Sequence, residues 1–559
     1  MTTNQLLQIL FYIFCLLLVA PILGKYMADI YTGKRNFAVR LLSPFEKFIY
    51  KLAGINAEQE MNWKVYAKNL IIFNLIGIGA VFMLQILQRH LPLNPNGLHN
   101  VSWDLALNTA VSFVTNTDWQ AYSGENTLSY LTQMLGLCVQ NFLSAATGMA
   151  VLLALIRGLK RAENPLIGNF WSDITKTVIY ILLPLSLFLS VALVSQGVVQ
   201  TFKANAQTFT VEDSSPRQIP LGPAASQIAI KQLGTNGGGY YGANSAHPLE
   251  NPTPLSNFLE MFSILLLPAA CVFMFGFMTG APKHSAVILM VMLFLFICGI
   301  GLSLYAENSA AHKLGVSAAM EGKETRFGVV NSVLWSVSTT AASNGSVNAM
   351  HSSLSPLAGG VALFNMLTGE VIFGGIGCGL YGMLVFVILT VFICGLLVGR
   401  TPQYFCKKIE KREVQMSVLV ILLPALCILF GSSVALVSHS LRSYIFSSGP
   451  HGFSEVIYAF ASAAGNNGSA FGGLNANNVF YNLALSAAMF IGRFGIIVPC
   501  LAIAGGLSAK KRMAQSVSDF RTDDMLFAVL LLGIVIIFGV LTYFPALMLG
   551  PGLETLLNI

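Results

Sequence analysis

The chain has 559 residues, is 55% hydrophobic and only 10% charged, and carries a formal net charge of +7 at pH 7. Soluble domains carry roughly 25% charged residues, so a water-soluble globule is excluded. Continuous apolar runs, in place of strict alternation, also exclude an outer-membrane barrel, and the reading is an all-α polytopic membrane protein.

Apolar runs of spanning length occur at approximately 5–24, 66–88, 128–156, 174–199, 257–280, 284–305, 357–399, 414–438, 476–503 and 526–549, which predicts ten transmembrane helices. The seventh run is too long for one span and is expected to be broken. No Lys or Arg precedes the first run, whereas Lys25, Lys34, Arg35, Arg40, Lys47 and Lys51 follow it. A signal peptide has the opposite order, so the first run is read as an uncleaved helix with its N-terminus outside. On that orientation 22 of the 31 Lys and Arg fall in or beside the inner loops, as the positive-inside rule requires. The nine cysteines lie mostly in apolar runs and lack metal-ligand spacing. No cofactor and no nucleic-acid partner is expected.

Between the spans, on the outer side, lie four short stretches of about 10 to 14 residues: Trp103–Val114, Ala224–Leu233, Val329–Ala342 and Phe453–Ala464. They are too short to cross a bilayer and suit re-entrant half-helices. A polar turn follows each: Thr115-Asn116-Thr117, Thr235-Asn236-Gly237, Ser343-Asn344-Gly345 and Asn466-Asn467-Gly468. Lined up on Asn116, Asn236, Asn344 and Asn467, the turns stand 120, 108 and 123 residues apart. Such spacing implies four helix–pore-loop–helix repeats around a pseudo-fourfold axis, with one extra helix before and one after. The divisions are 1–65 (first helix and inner loop), 66–157 (repeat 1), 174–281 (repeat 2), 284–399 (repeat 3, broken helix), 414–503 (repeat 4) and 504–559 (inner loop and last helix). Within repeat 2 the polar, Pro-rich segment 201–254 is either a small cap over the pore or a flexible loop.

Non-helical backbone at membrane depth is tolerated only where it is buried in protein or lines a wet cavity. A cation filter exchanges water oxygens for backbone carbonyls, and aiming successive carbonyls at one axis needs conformations that Gly and Asn tolerate. The twelve turn residues are therefore candidate cation ligands, with Gly237, Gly345 and Gly468 equivalent and Thr117 in glycine's place in the first turn. The hydroxyls of Thr115, Thr235 and Ser343 would add oxygens. Glu370 and Arg493 stand inside apolar runs, where ionisable residues mark function by default. Gly374, Gly375, Gly377 and Gly379 lie in a glycine-dense break of the seventh run, suited to a gating loop; small-residue helix packing is the alternative.

The four turns, with Thr115-Asn116-Thr117-Asp118-Trp119-Gln120, Gly492-Arg493-Phe494-Gly495 and the inner turn Arg400-Thr401-Pro402, make the whole chain resemble the superfamily of potassium transporters. Within it the likeness is to the A subunits of the bacterial Kdp-type potassium-transporting ATPases. That resemblance implies a subunit of the bacterial inner membrane that takes K+ from outside. A partner P-type ATPase subunit would hold ATP and Mg2+, two further subunits would complete the complex, and the ion would leave the filter sideways. It also implies that Gln120 tunes affinity and that Arg493 blocks the straight path inward. The chain itself has neither a Walker motif nor the Asp-Lys-Thr-Gly-Thr phosphorylation motif, so no catalytic residue is assigned. A self-sufficient channel or ion-coupled transporter of the same fold is the alternative. A membrane-embedded enzyme would need more than Glu370 and Arg493 at depth.

Overall fold

The computed structural model describes residues 3–34, 36–209, 215–369, 371–513 and 520–557. In chain order the helices are α1 (Thr3–Tyr31), α2 (Phe37–Ala53), α3 (Trp63–Leu87), α4 (Trp103–Val114), α5 (Thr132–Lys160), α6 (Phe170–Ser195), α7 (Ala224–Leu233) and α8 (Pro254–Thr279). There follow α9 (Pro282–Lys313), α10 (Gly328–Ala341), α11 (Pro356–Leu367), α12 (Cys378–Leu397), α13 (Lys411–Val437), α14 (Gly449–Gly465), α15 (Val479–Ala509) and α16 (Met525–Leu547). Ten of these are long and apolar enough to span a membrane: α1, α3, α5, α6, α8, α9, α12, α13, α15 and α16. The half-helices α4, α7, α10 and α14 alternate with pairs of spans, giving four repeats: α3–α4–α5, α6–α7–α8, α9–α10–α11/α12 and α13–α14–α15.

Composition explains which helix of each repeat faces the axis. In the second helices, 67–83% of the most apolar stretch is buried, against 22–61% in the first helices. Side chains such as Asn141, Ser144, Thr390 and Asn482 on the second helices are buried and bond within the bundle. The first helices present Ile72, Ile76, Leu187, Phe188 and Leu426 outward. An apolar residue loses nothing against lipid, so only the central helices need internal partners for polar groups.

The seventh run is two pieces. Helix α11 stops at Leu367, and α12 starts at Cys378. The intervening loop takes positive φ at Gly369, Phe373, Gly374 and Gly377. Glu370, expected to mark function, lies outside the described residues.

Connections gather on two opposite faces. On one, Arg161 forms a two-pronged ion pair with Glu60 (2.6 and 2.9 Å), Glu163 N donates to Lys510 O (3.1 Å), and His284 is hydrogen-bonded to Tyr404 Oη (2.8 Å) and Thr522 O (2.7 Å). On the other, segment 201–254 is largely a packed cap, with Ala206–Phe209 pairing antiparallel to Pro216–Ile219. Tyr130 Oη donates to Lys203 O and Leu221 O at 2.8 and 2.9 Å, and Tyr240, Tyr241 and Glu250 are buried beneath.

One element was not anticipated. The segment 25–65, read as an inner loop, contains the amphipathic helix α2.

Candidate functional site: a ring of four turns

The four half-helices end at the centre of the bundle, each followed by a turn. Within each turn, residues of positive φ alternate with ordinary ones: Asn116 (66°) and Asp118 (55°), Thr235 (51°) and Gly237 (72°), Ser343 (53°) and Gly345 (85°), Asn466 (58°) and Gly468 (97°). Alternating handedness turns successive carbonyls toward the same side. The residue between each pair donates its N–H to the carbonyl five residues earlier: Thr117 to Ser112 (2.9 Å), Asn236 to Lys231 (2.9 Å), Asn344 to Thr339 (3.1 Å) and Asn467 to Ser462 (2.8 Å).

This pattern corrects the alignment made on asparagine. The equivalent central residues are Thr117, Asn236, Asn344 and Asn467, so the first turn is offset by one. Asp118, and not Thr117, takes the place of Gly237, Gly345 and Gly468. Asn116 matches Thr235, Ser343 and Asn466. Backbone handedness defines equivalence here; a shared side chain misled because Asn tolerates either position. Asp118 was missed for the same reason. It is 1% exposed, and its Oδ2 accepts from the Asn141 amide at 2.9 Å once that amide is oriented to suit its surroundings.

Close approach fixes the order of the ring. A Cβ on Gly237 would lie 1.7 Å from Asn344 O, one on Gly345 2.1 Å from Asn467 O, and one on Gly468 2.0 Å from Thr117 O. Real Cβ atoms do not come so near a carbonyl oxygen, so only glycine lets turn 2 lie against turn 3, turn 3 against turn 4, and turn 4 against turn 1. Side chains close the same circle. Asn116 Nδ2 donates to Thr235 O (2.7 Å), Asn236 Nδ2 to Asn116 Oδ1 (2.7 Å), Ser343 Oγ to Asn466 O (2.9 Å) and Asn466 Nδ2 to Thr117 Oγ1 (2.9 Å). Asn344 Nδ2 donates to Lys231 O and Asn467 Nδ2 to Thr339 O, both at 3.0 Å. Those carbonyls occupy the same place in consecutive half-helices, so each asparagine straps its turn to the repeat before it.

The hydroxyls expected as extra oxygens are used as braces. Thr115 Oγ1 donates to its own helix at Val111 O (2.8 Å), Thr235 Oγ1 accepts from Ile376 N (2.8 Å), and Ser343 Oγ holds turn 4. Gln120 lies just beyond turn 1, where its Oε1 accepts from Gly239 N at 2.7 Å and ties the strand after turn 1 to that after turn 2. His351, beyond turn 3, is hydrogen-bonded through Nδ1 to Tyr458 Oη (2.8 Å), which reaches Ser469 Oγ (2.9 Å) in turn 4. Burial pushes the His351 pKa down to about 4, so the ring is neutral at pH 7 and serves as a bridge between turns.

Behind turn 2 sits a fully buried ion pair, Lys231 with Glu250. Lys231 Nζ also donates to Gly238 O and Asn244 Oδ1, each at 3.0 Å. Neither partner stood out in the sequence, because Lys231 reads there as an ordinary polar residue of an amphipathic stretch.

On the other side of the turns lies the α11–α12 loop. Gly374 N donates to Ala341 O (2.8 Å), and Gly375 faces Thr235 and Ser343. Gly377 and Gly379 pack against Gly148 and Phe373. Arg493 is 4% exposed and donates Nη2 to Ser144 O at 2.9 Å. Among the described residues no carboxylate pairs with it. Gly492 explains its position: a Cβ there would lie 2.1 Å from Ala464 O, so glycine lets α15 touch the end of α14 and hold Arg493 under turn 4. A cavity of ≈ 80 Å³ runs from Ser343 and Asn466 past Gly374 and Arg493 to Phe538 and Tyr543 on α16.

Comparison with known proteins agrees with this architecture. The family described as KdpA, potassium-transporting ATPase A subunit, matches residues 10–556. Proteins named potassium-transporting ATPase potassium-binding subunit are 53% identical in Herpetosiphon aurantiacus, over 100% of both chains. The corresponding protein of Pseudomonas aeruginosa is 51% identical over 100% of this chain and 99% of its own, and that of Leptospira interrogans is 51% identical over 99% and 98%. The potassium transporter TrkH from Vibrio parahaemolyticus shares the fold, with a TM-score of 0.53 at 14% identity over 87% of this chain and 96% of that one. The chain belongs to the family of potassium-transporting ATPase A subunits.

Proposed function

We propose that the ring of turns is a potassium filter that takes K+ from outside the cell for an ATP-driven uptake complex. The observation that carries this reading is the closed ring itself: three glycines of positive φ, each against a neighbouring turn's carbonyl. Carbonyls from Thr115–Asp118, Thr235–Gly237, Ser343–Gly345 and Asn466–Gly468 replace the ion's water without trapping it by full charge. The half-helices aim the negative ends of their dipoles at the same point. Gln120 trims the entrance, and Lys231 braces turn 2.

The charge distribution supports an orientation with the N-terminus and the cap outside and the face bearing Arg161 and Lys510 in the cytoplasm, in a bacterial inner membrane. The 374–379 loop and Arg493 obstruct the straight path inward. An ion that passes the filter enters the lateral cavity and moves toward a partner P-type ATPase subunit, which binds ATP and Mg2+ and hydrolyses the nucleotide. Two further subunits complete the complex. The A subunit supplies selection and a path, with no catalytic step and no resident cofactor.

Melting of the purified protein in K+ against Na+ tests the filter. A ligand bound only by the folded state stabilises it by roughly 2.7 kcal/mol at 100 times its dissociation constant, so K+-specific stabilisation is expected. Equal melting in the two salts, with the protein folded, would leave the turns as ordinary loops. Arg493→Ala is expected to keep that K+-specific shift while changing K+-stimulated turnover of the assembled complex. Loss of K+ stabilisation in that variant, with the fold intact, would place Arg493 in the filter instead of below it.

A further inference from the structure

We infer that α2 is an interfacial helix that binds anionic phospholipid headgroups. Three observations converge on it.

The first is its division into sectors. At about 100° per residue, Phe37, Leu41, Phe45, Phe48 and Leu52 fall within an arc of about 80°, and all five are exposed. Val39, Leu42, Glu46, Ile49 and Tyr50 fall on a second arc, all partly buried; the three aliphatic ones pack on the core. Arg40, Lys47 and Lys51 fall on a third and are exposed. With the apolar stripe turned toward the bilayer, the packed arc lies to one side, against the protein. The basic arc lies to the other, where surrounding headgroups are.

The second observation is charge. Glu46, the helix's single acid, is turned inward, where its carboxylate accepts from Tyr50 Oη (2.8 Å) and Tyr180 Oη. The exposed charge of α2 is therefore entirely positive, and none of Arg40, Lys47 and Lys51 makes an ion pair among the described residues. A protein surface able to cover this face would need both an apolar ridge and matching acids. A leaflet of anionic lipid supplies both over its whole area.

The third is depth. Tyr180, the anchor of Glu46, stands one turn past Lys176, the last charged residue before the apolar stretch 177–195. The helix therefore lies at the level where water gives way to hydrocarbon. Leu183 and Leu187, further along α6 in the same apolar stretch, are exposed. The face concerned is the one that carries Arg161 and Lys510, where 22 of the 31 basic residues collect.

The full chain in nanodiscs tests this, since the helix is held by the rest of the protein. Wild type is expected to melt higher in phosphatidylcholine containing phosphatidylglycerol than in phosphatidylcholine alone. The triple variant Arg40→Gln, Lys47→Gln, Lys51→Gln is expected to lose that increment while melting normally in phosphatidylcholine. Its preference for phosphatidylglycerol should fall roughly a hundredfold, from about fivefold for each cation. In the assembled complex, Phe45 replaced by photoreactive benzoylphenylalanine is expected to crosslink to lipid. An increment that survives in the triple variant would overturn the inference. So would crosslinking of position 45 to a partner subunit.

Discussion

Gly345→Ala is expected to abolish potassium-specific stabilisation, and Gly345→Asp to do so with a further loss of stability. Two independent costs apply. At φ 85° an L-residue is strained by about 1–3 kcal/mol. The new Cβ would also start 2.1 Å from Asn467 O, so turn 3 or turn 4 must move, which would spoil the oxygen geometry that the proposed filter requires. The carboxylate of Asp adds a buried charge beside carbonyl oxygens, which repel it. Melting curves in K+ and in Na+ for wild type, Gly345→Ala and Gly345→Asp check this. Wild-type K+ discrimination in the alanine variant would remove Gly345 from the ion path. Gly399, whose φ is also positive but whose Cβ would meet nothing within 4 Å, is the control. Gly399→Ala should pay only the backbone cost and keep the K+ response.

Lys231→Met should be the most destabilising single change behind turn 2. Lys231 and Glu250 are both fully buried and paired. Removing one partner of such a pair costs about 3–5 kcal/mol, because the other charge stays buried without compensation. Adding Glu250→Gln should recover much of that loss, since Glu250 is then no longer a buried charge without its partner. The carbonyl of Gly238 and the amide oxygen of Asn244 lose a donor in either case, so recovery should stop short of wild type. Unfolding in Na+ separates this from any effect on ion binding. Lys231→Met within about 0.5 kcal/mol of wild type, the scale of an ordinary surface change, would show that the pair contributes nothing to folding.

The spans and half-helices were legible because length against bilayer thickness is a property of sequence alone. Trp103–Val114 and Ala224–Leu233 carry the same bounds in structure and sequence, since charged or turn residues flank both. Register within the turns was less legible. Thr235 and Ser343 adopt left-handed backbone, which a β-branched or small hydroxylated residue does not advertise. In Thr235 the conformation is held from outside, by Ile376 N bonding its hydroxyl across 141 residues. Asp118 was invisible as a glycine equivalent because only the φ series reveals it. The pair of Lys231 and Glu250 depends on the cap folding back over α7, a tertiary fact. Helix α2 is hidden in the sequence because length against bilayer thickness singles out only runs long enough to cross. Its apolar residues recur at helical spacing but are too few and too mixed with cations to register as a span.

The joint between the fourth turn and the first has a cost in time. Asn466 Nδ2 meets Thr117 Oγ1 across 349 residues, so the last edge of the ring closes only when nearly the whole chain has left the ribosome. At about 5–20 residues per second, the first turn waits roughly 20–70 s for its neighbour. Throughout that interval the ring stays open, and the groups of the first and third repeats that bond to the fourth turn lack those partners. A chain truncated after the third repeat would stay in that state permanently and should be degraded faster than one lacking only α16, which lies outside the ring.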